Sequence, residues 1–149
     1  QFSSRVIALP DRFEQLMQCE LLPIAPRPEW KALKAVYAFF EGDTPCYVGR
    51  TRNLHGRMTR HVVNSHNSAT FAFKETKRSL GTKIENIQAR GRSGLFLDET
   101  FQAEFQIQKQ RIRLMKLRFV PIEDALDQYL FELYAALELG TPLDEFDTH

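Results

Sequence analysis

The stretch AVYAFFEGDTPCYVGRTRNLHGRMTRH, residues 35 to 61, decides the fold. Two short aromatic and β-branched runs, AVYAFFE and PCYVGRT, flank the turn sequence GDTP and predict an antiparallel β-hairpin. If the loop has an odd number of residues, Tyr37 lies opposite Gly49 and Tyr47 lies opposite Phe39, so both tyrosines project from one face of the sheet. An even loop places them on opposite faces.

The end of this stretch predicts a helix from about Asn53 to Val63, capped by Thr51. On that helix Arg57 and His61 are four residues apart and therefore lie on the same face.

The remaining elements are predicted from hydrophobic spacing and from proline and glycine positions. They are a helix from Pro10 to about residue 20, a proline-rich connector to residue 30, helices over 68–80 and 98–110, a strand over 111–120, and a last helix from Pro121 to Gly140. In the last helix an apolar stripe is formed by Leu126, Leu130, Leu133 and Leu137, and Glu132 falls roughly 120° from the centre of that stripe at about 100° per residue.

Length and composition are those of one soluble globular domain, with 149 residues, 43% hydrophobic and 26% charged. No apolar run is long enough for a membrane span, and the opening residues lack the pattern of a secretory signal. Cys19 and Cys46 match neither a disulfide framework nor a metal-binding pair. We therefore expect a cytoplasmic protein without membrane contact.

Charge is distributed unevenly along the chain. Residues 1–118 contain all 20 lysines and arginines and 11 acidic residues, whereas residues 119–149 contain 8 acidic residues and no basic ones. Two basic runs without intervening acids predict a nucleic-acid partner, although such runs are also typical of solvated faces. These runs are Arg50, Arg52, Arg57 and Arg60, and then Lys109, Arg111, Arg113, Lys116 and Arg118.

The ordered motifs of the opening stretch resemble the GIY-YIG nuclease superfamily. The first motif is Ala35, Val36, Tyr37, and the second is Tyr47, Val48, Gly49, with Arg57, His61 and a later helix that contains Phe-Glu-Leu-Tyr at 131–134. The resemblance covers about residues 34–63 and 111–140. Ala35 stands where the family has glycine, and no residue is assigned to the family's downstream asparagine.

This resemblance implies an α+β fold with a small three-stranded antiparallel sheet flanked by helices. It also implies a metal-dependent endonuclease that uses Mg²⁺ or Mn²⁺ to hydrolyse DNA phosphodiesters. In that reading residues 1–149 form a single domain: 1–30 is an N-terminal helix and connector, 34–63 and 111–140 form the nuclease core, and 64–110 is a helical insertion. The implied catalytic residues are Tyr37, Tyr47, Arg57, His61 and Glu132, with Glu132 as the metal ligand.

The chemistry of these residue types agrees with that assignment. Attack on a phosphodiester builds negative charge on phosphoryl oxygens, which a planar guanidinium such as that of Arg57 can bind in pairs. A hard cation keeps several waters, so one carboxylate can be enough to hold it. Tyrosine has an ordinary pKa of about 10 and can accept a proton from water only where a nearby cation favours the phenolate.

Further contacts to DNA are predicted along the hairpin and the insertion, where cations and a helix start can hold phosphates. Phe71 and Phe73 are candidates for stacking on unpaired bases, or they pack their helix onto the rest of the protein. The predicted DNA-binding residues are Arg50, Arg52, Arg60, Asn67, Ser68, Lys74, Lys77 and Arg78.

Three alternatives remain open at this point. Single-stranded DNA is slightly favoured as substrate over duplex DNA, because the chain is small, is compatible with a monomer and has one candidate site. A duplex restriction or repair-type endonuclease, or a nucleic-acid-binding module without catalysis, is the alternative. A weaker one is a His-Asn-His site formed by His61, Asn64 and His66.

Overall fold

The computed structural model describes residues 1–62, 70–84, 87 and 91–143. The architecture is α+β, as predicted, with one antiparallel sheet and several helices. The helices are α1 (Phe2–Ile7), α2 (Leu9–Gln18), α3 (Leu54–Val62), α4 (Thr70–Leu80), α5 (Arg92–Leu95), α6 (Glu99–Arg113) and α7 (Ala125–Leu139), and the strands are β1 (Leu22–Pro23), β2 (Ala35–Glu41), β3 (Thr44–Thr51) and β4 (Lys116–Pro121).

The described sheet has four strands in the order β1-β4-β2-β3, so the prediction of three strands was wrong. All neighbouring pairs are antiparallel. The additional strand, β1, has only two residues and lies in a proline-rich segment, where a periodic pattern cannot be recognised. β3 is at one edge of this sheet, and no described strand pairs with its outer side.

The β2–β3 hairpin combines a two-residue turn with a β-bulge. Glu41 pairs with Thr44 around the turn, Phe40 pairs with Pro45, and Phe39 pairs with Tyr47, so Cys46 is the extra residue. The turn is even, which alone would separate the two tyrosines. The bulge shifts the register by one residue and returns both tyrosines to one face.

The opposite face of the sheet packs against α2 and α7 and forms the main apolar core. Residues of β2 and β3 at alternate positions face α7, in agreement with the period of two in a strand. This core contains Val36, Ala38, Phe40, Val48, Val120, Phe131, Ala135 and Ala136.

Two predicted boundaries near the C-terminus were wrong. α6 continues to Arg113, so β4 starts only at Lys116, because the charged and apolar residues before it also satisfy a helical period. Pro121 ends β4 instead of starting α7, and the side chain of Asp124 caps that helix. Gly140 ends α7 as predicted, with the left-handed φ of 70° that glycine tolerates.

The buried face of α7 differs from its leucine stripe. The buried side chains are Gln128, Phe131, Glu132, Ala135 and Ala136, whereas Leu126 and Leu137 are exposed. The small alanines allow the helix to approach the sheet closely, and this approach brings Glu132 inward.

The chain forms two compact units. One contains Gln1–Arg57 and the chain from Met115 onward, and the other contains Met58–Leu114. In the second unit α4 packs on α6, with Phe73 and Phe101 ring centroids 5.5 Å apart. The predicted functional division into a nuclease core and an insertion over 64–110 remains a prediction. No described helix is long and apolar enough to cross a membrane.

Candidate functional site

Tyr37 and Tyr47 lie side by side on the sheet face that is opposite to α7. Their ring centroids are 6.2 Å apart, and the ring of Phe39 contacts both, at 5.4 Å from Tyr37 and 5.8 Å from Tyr47. Tyr37 is fully buried, whereas Tyr47 is half-buried. The hairpin therefore places one tyrosine inside the protein and a second one beside it at the surface.

Gly49 gives the Tyr37 ring its space. A Cβ atom at position 49 would lie 2.5 Å from the Tyr37 hydroxyl oxygen and 2.6 Å from the ring carbon that carries it. Those distances are far below van der Waals contact, and Tyr37 pairs directly with Gly49 across the strands. The glycine of the YVG motif is thus required by the tyrosine of the first motif.

Arg50 and Glu132 form an ion pair on the other face of β3. Alternation along the strand directs Arg50 toward α7, where Nη1 donates a hydrogen bond to Oε1 of Glu132. The Glu132 side chain is 1% exposed, whereas that of Arg50 is 43% exposed. The guanidinium carbon of Arg50 also lies 5.0 Å from the ring centroid of Tyr129. A buried carboxylate is thus paired with a cation that reaches solvent.

Sequence analysis missed two residues of α7 that frame this pair. Gln128 is buried and donates from Nε2 to the backbone oxygens of Thr51 and Ile122, at 3.0 Å each, which fixes α7 to the end of β3. Tyr129 supplies the ring against Arg50. The spacing of Gln128 and Glu132, four residues apart in one helix, indicates that both share a face, but it does not show that this face is buried.

Arg57 lies in the first half of α3, which Asn53 anchors. The Oδ1 atom of Asn53 accepts hydrogen bonds from the backbone N–H of Gly56 at 3.2 Å and of Ala32 at 3.0 Å, so Asn53 caps the helix where Thr51 was predicted to do so. The Nε atom of Arg57 is buried and has no hydrogen-bond acceptor among the described residues. A buried donor without an acceptor calls for an explanation, and an anionic ligand is one.

His61 is buried on α3, one turn after Arg57, and is 3% exposed. It belongs to the second compact unit, whereas Tyr37, Tyr47, Arg57 and Glu132 belong to the first. Its supporting role remains a prediction. The alternative site with Asn64 and His66 lies outside the described residues.

The predicted DNA-binding cations differ in how they are engaged. Arg52 donates to the backbone oxygen of Glu123 at 2.9 Å, Lys77 lies over the Phe73 ring at 5.3 Å, and Arg78 pairs with Glu75. Arg60 is exposed on α3 and Lys74 is half-buried on α4. Asn67 and Ser68 lie outside the described residues. Phe71 and Phe73 are buried, which supports packing over base stacking.

The arrangement around Glu132 does not fit a resident divalent cation. The carboxylate is buried and Oε1 accepts from Arg50, whose positive charge would repel a cation at the same oxygen. The described residues also contain no group of three His, Cys, Asp or Glu side chains suited to a metal ion.

Comparisons with protein-family models, with curated proteins and with solved structures found no match to this chain.

Proposed function

We propose that this protein is a metal-dependent endonuclease that hydrolyses DNA phosphodiesters with the residue set of the GIY-YIG superfamily, and that single-stranded DNA is its preferred substrate. Mg²⁺ or Mn²⁺ is the proposed cofactor. The proposal starts from the sequence resemblance and draws support from the geometry of the first compact unit.

The observation that carries the proposal is the paired tyrosine geometry. The bulge at Cys46 sets a register in which Tyr37 covers Gly49 and contacts Tyr47. A hairpin that only needed sheet aromatics would not require a glycine beneath one hydroxyl. Strand propensity alone therefore does not explain why Tyr37, Tyr47 and Gly49 occur together, whereas their close packing does.

The different burial of the tyrosines supports different roles. Tyr47 is half-buried and can meet a water molecule and the phosphate, so we assign it the proton transfer from the attacking water. Tyr37 is fully buried and holds Tyr47 and the strand in place, so it is a positioning residue. Arg57 supplies a permanent positive charge, and its buried Nε–H has no acceptor among the described residues, which suits a phosphoryl oxygen as its negative charge increases.

Glu132 and the cation enter this proposal only through the resemblance. Because Arg50 occupies the carboxylate in the described arrangement, we derive no catalytic step through a metal ion.

The experiment that tests the proposal measures cleavage of matched single-stranded and duplex DNA with Mg²⁺, Mn²⁺ or EDTA. The variants are Tyr47→Phe, Arg57→Gln and Glu132→Gln. The matched controls are two residues of α7. They are Tyr134→Phe, which keeps the ring that packs on Phe13 of α2, and Glu138→Gln, which changes an exposed carboxylate.

We expect metal-dependent cleavage by the wild type and both controls, and a loss of about 10²–10³-fold in rate for Arg57→Gln. Similar losses are expected for Tyr47→Phe and Glu132→Gln, with DNA binding kept. DNA binding without cleavage under every condition would instead identify a binding module. Faster cleavage of duplex DNA would replace the single-strand assignment with a restriction or repair-type one.

A further inference from the structure

Tyr129 is an aromatic side chain that α7 leaves at the surface. It is 43% exposed, whereas the helix buries Phe131 and two alanines on another face. Leu126, three residues earlier and therefore on the same side of the helix, is 51% exposed. The packing of the protein interior thus uses only part of the Tyr129 ring.

The guanidinium of Arg50 lies over this ring, with its central carbon 5.0 Å from the ring centroid. The same guanidinium donates from Nη1 to Glu132, which follows Tyr129 by three residues on α7. Two contacts to one helix restrict the orientation of the guanidinium, and this lowers the entropy that is lost when a ligand binds beside it. Because the Arg50 side chain is itself 43% exposed, the cation and the ring reach solvent together.

The acidic residues around the start of α7 are paired with cations. Asp124 and Asp127 both accept hydrogen bonds from Arg5. Glu123 lies 3.3 Å from the ammonium group of Lys34. These pairs reduce the repulsion that the carboxylates would exert on a phosphate that approaches Tyr129.

An exposed ring beside a cation suits an unpaired nucleobase. Such bases stack on tyrosine rings and on guanidinium planes, and the phosphate of the same nucleotide can accept from further N–H donors of Arg50. An apolar partner would fit less well, because it would cover those donors without offering them an acceptor. A base within a duplex is already stacked on its neighbours, so this site would favour single strands.

We propose that Tyr129 and Arg50 bind one unpaired nucleotide of the DNA substrate, with the base stacked on the ring and the phosphate at the guanidinium. This inference rests on the proposed function and explains a preference for single-stranded DNA. Because Arg50 is already paired with Glu132, stacking on the ring provides most of the affinity of this site. The contribution of Tyr129 therefore does not change with salt, unlike that of an exposed arginine.

The first test measures the affinity of the full chain for oligothymidylate by fluorescence anisotropy, in EDTA to prevent metal-dependent cleavage. We expect Tyr129→Leu, which keeps an apolar side chain but removes the ring, to bind about five- to 100-fold more weakly, by the same factor at low and high salt. Tyr129→Phe keeps the ring and should keep most of the affinity. The matched control is Leu137→Ala, which truncates an exposed apolar side chain on the same helix and should match the wild type.

An abasic strand of the same length isolates the contact with the base. It carries the phosphates without the bases, so the wild type and Tyr129→Leu should bind it with equal affinity. A second variant keeps the test decisive if Tyr129→Leu does not fold. Tyr129→Trp places an indole at the surface, whose fluorescence should be quenched by oligothymidylate but not by the abasic strand, whereas the native Trp30 is buried.

The outcomes separate this inference from the proposed function. Equal affinities of the wild type and Tyr129→Leu for oligothymidylate would overturn the base site, even if metal-dependent cleavage is observed, and so would a wild type that does not bind oligothymidylate. An equal loss on the abasic strand would also overturn it, since the ring would then not act through a base. A change in the sedimentation of Tyr129→Leu with unchanged DNA affinity would instead assign the ring to a contact with a second copy of the chain. Failure of cleavage in every condition, with the expected differences in binding, would overturn the proposed function alone.

Discussion

At the scale of single residues, Gly49 is the position where one added carbon atom most directly disturbs the tyrosine pair. Gly49→Ala would place Cβ 2.5 Å from the hydroxyl oxygen of Tyr37, a side chain that is fully buried. We expect a loss of about 1–3 kcal/mol in the free energy of unfolding, measured by urea denaturation. Gly94→Ala is the control, since its Cβ would meet no atom within 4 Å and alanine favours the surrounding helix. Equal stability of the two variants would contradict the close packing of Tyr37 over Gly49.

Lys109 is a second residue whose surroundings make a direct prediction. Its Nζ atom is buried without a hydrogen-bond acceptor among the described residues, and burial, with the charge of Arg113, lowers the pKa of Lys109 from 10.5 to about 8. Between about pH 8 and 10.5 the unfolded chain therefore binds more protons than the folded one, so the free energy of unfolding rises with pH in this window.

Lys109→Met should remove that rise and stabilise the protein by about 1–3 kcal/mol below pH 8, because it removes a buried ammonium group that has no hydrogen-bond acceptor in the described part of the chain. The measurement is urea denaturation from pH 6 to pH 10. The exposed Lys116 provides the control, and Lys116→Met should keep the slope of the wild type. A pH profile of Lys109→Met that parallels the wild type would show that Lys109 is not the titrating group.

At the scale of secondary-structure elements, the side chain of Asn53 anchors the start of α3. Asn53 caps its first turn through Gly56 and also binds the N–H of Ala32, which has a positive φ of 60° that alanine rarely adopts. Asn53→Ala removes both acceptor contacts and should cost about 1–2 kcal/mol in the free energy of unfolding. Asn53→Asp retains an acceptor oxygen and should cost much less. Comparable losses in thermal denaturation would argue against capping as the cause.

The hairpin shows where prediction from the sequence reaches its limit. The residue types of AVYAFFE and PCYVGRT predict two paired strands. From the sequence alone, the observed pairing of Tyr37 with Gly49 is expected only for a loop with an odd number of residues. The turn has an even number of residues, and the bulge at Cys46 shifts the register by one so that Tyr37 still pairs with Gly49. A bulge adds one residue to a strand and cannot be recognised from amino-acid composition. The short β1 escaped prediction for a similar reason, since two residues carry no period.

The candidate site was predictable to different degrees. The role of Glu132 as a site residue was predicted from its residue type and its place in α7. Its burial was not predicted, because the leucine stripe indicated a different buried face of the helix. Arg50 was predicted to contact DNA from local charge alone. Its pairing with Glu132, 82 residues later, depends on how α7 crosses β3, and that is a property of tertiary packing that no local pattern contains.

At the scale of the whole molecule, net charge says little about how DNA would be held. The chain has a formal net charge of +1, but its acidic residues are concentrated after position 118, where basic residues are absent. Several cations are already compensated within the protein, such as Arg5 by Asp127 and Arg111 by Glu75. Affinity for phosphates should therefore come from the cations that have no carboxylate partner of their own.

This distinction can be measured through the salt dependence of DNA binding. Each phosphate neutralised by the protein contributes about 0.7 to the slope of log K against log salt for single-stranded DNA and about 0.9 for duplex DNA. Arg60 is exposed on α3, so Arg60→Gln should reduce the slope by close to one such increment. Arg78→Gln removes an arginine that is paired with Glu75, so it should reduce the slope by clearly less. Fluorescence anisotropy with a labelled oligonucleotide in EDTA, from 50 to about 300 mM salt, gives both slopes without cleavage. If the two variants lose the same increment, internal ion pairs do not decide which arginines meet the phosphates, and the basic runs act by their charge alone.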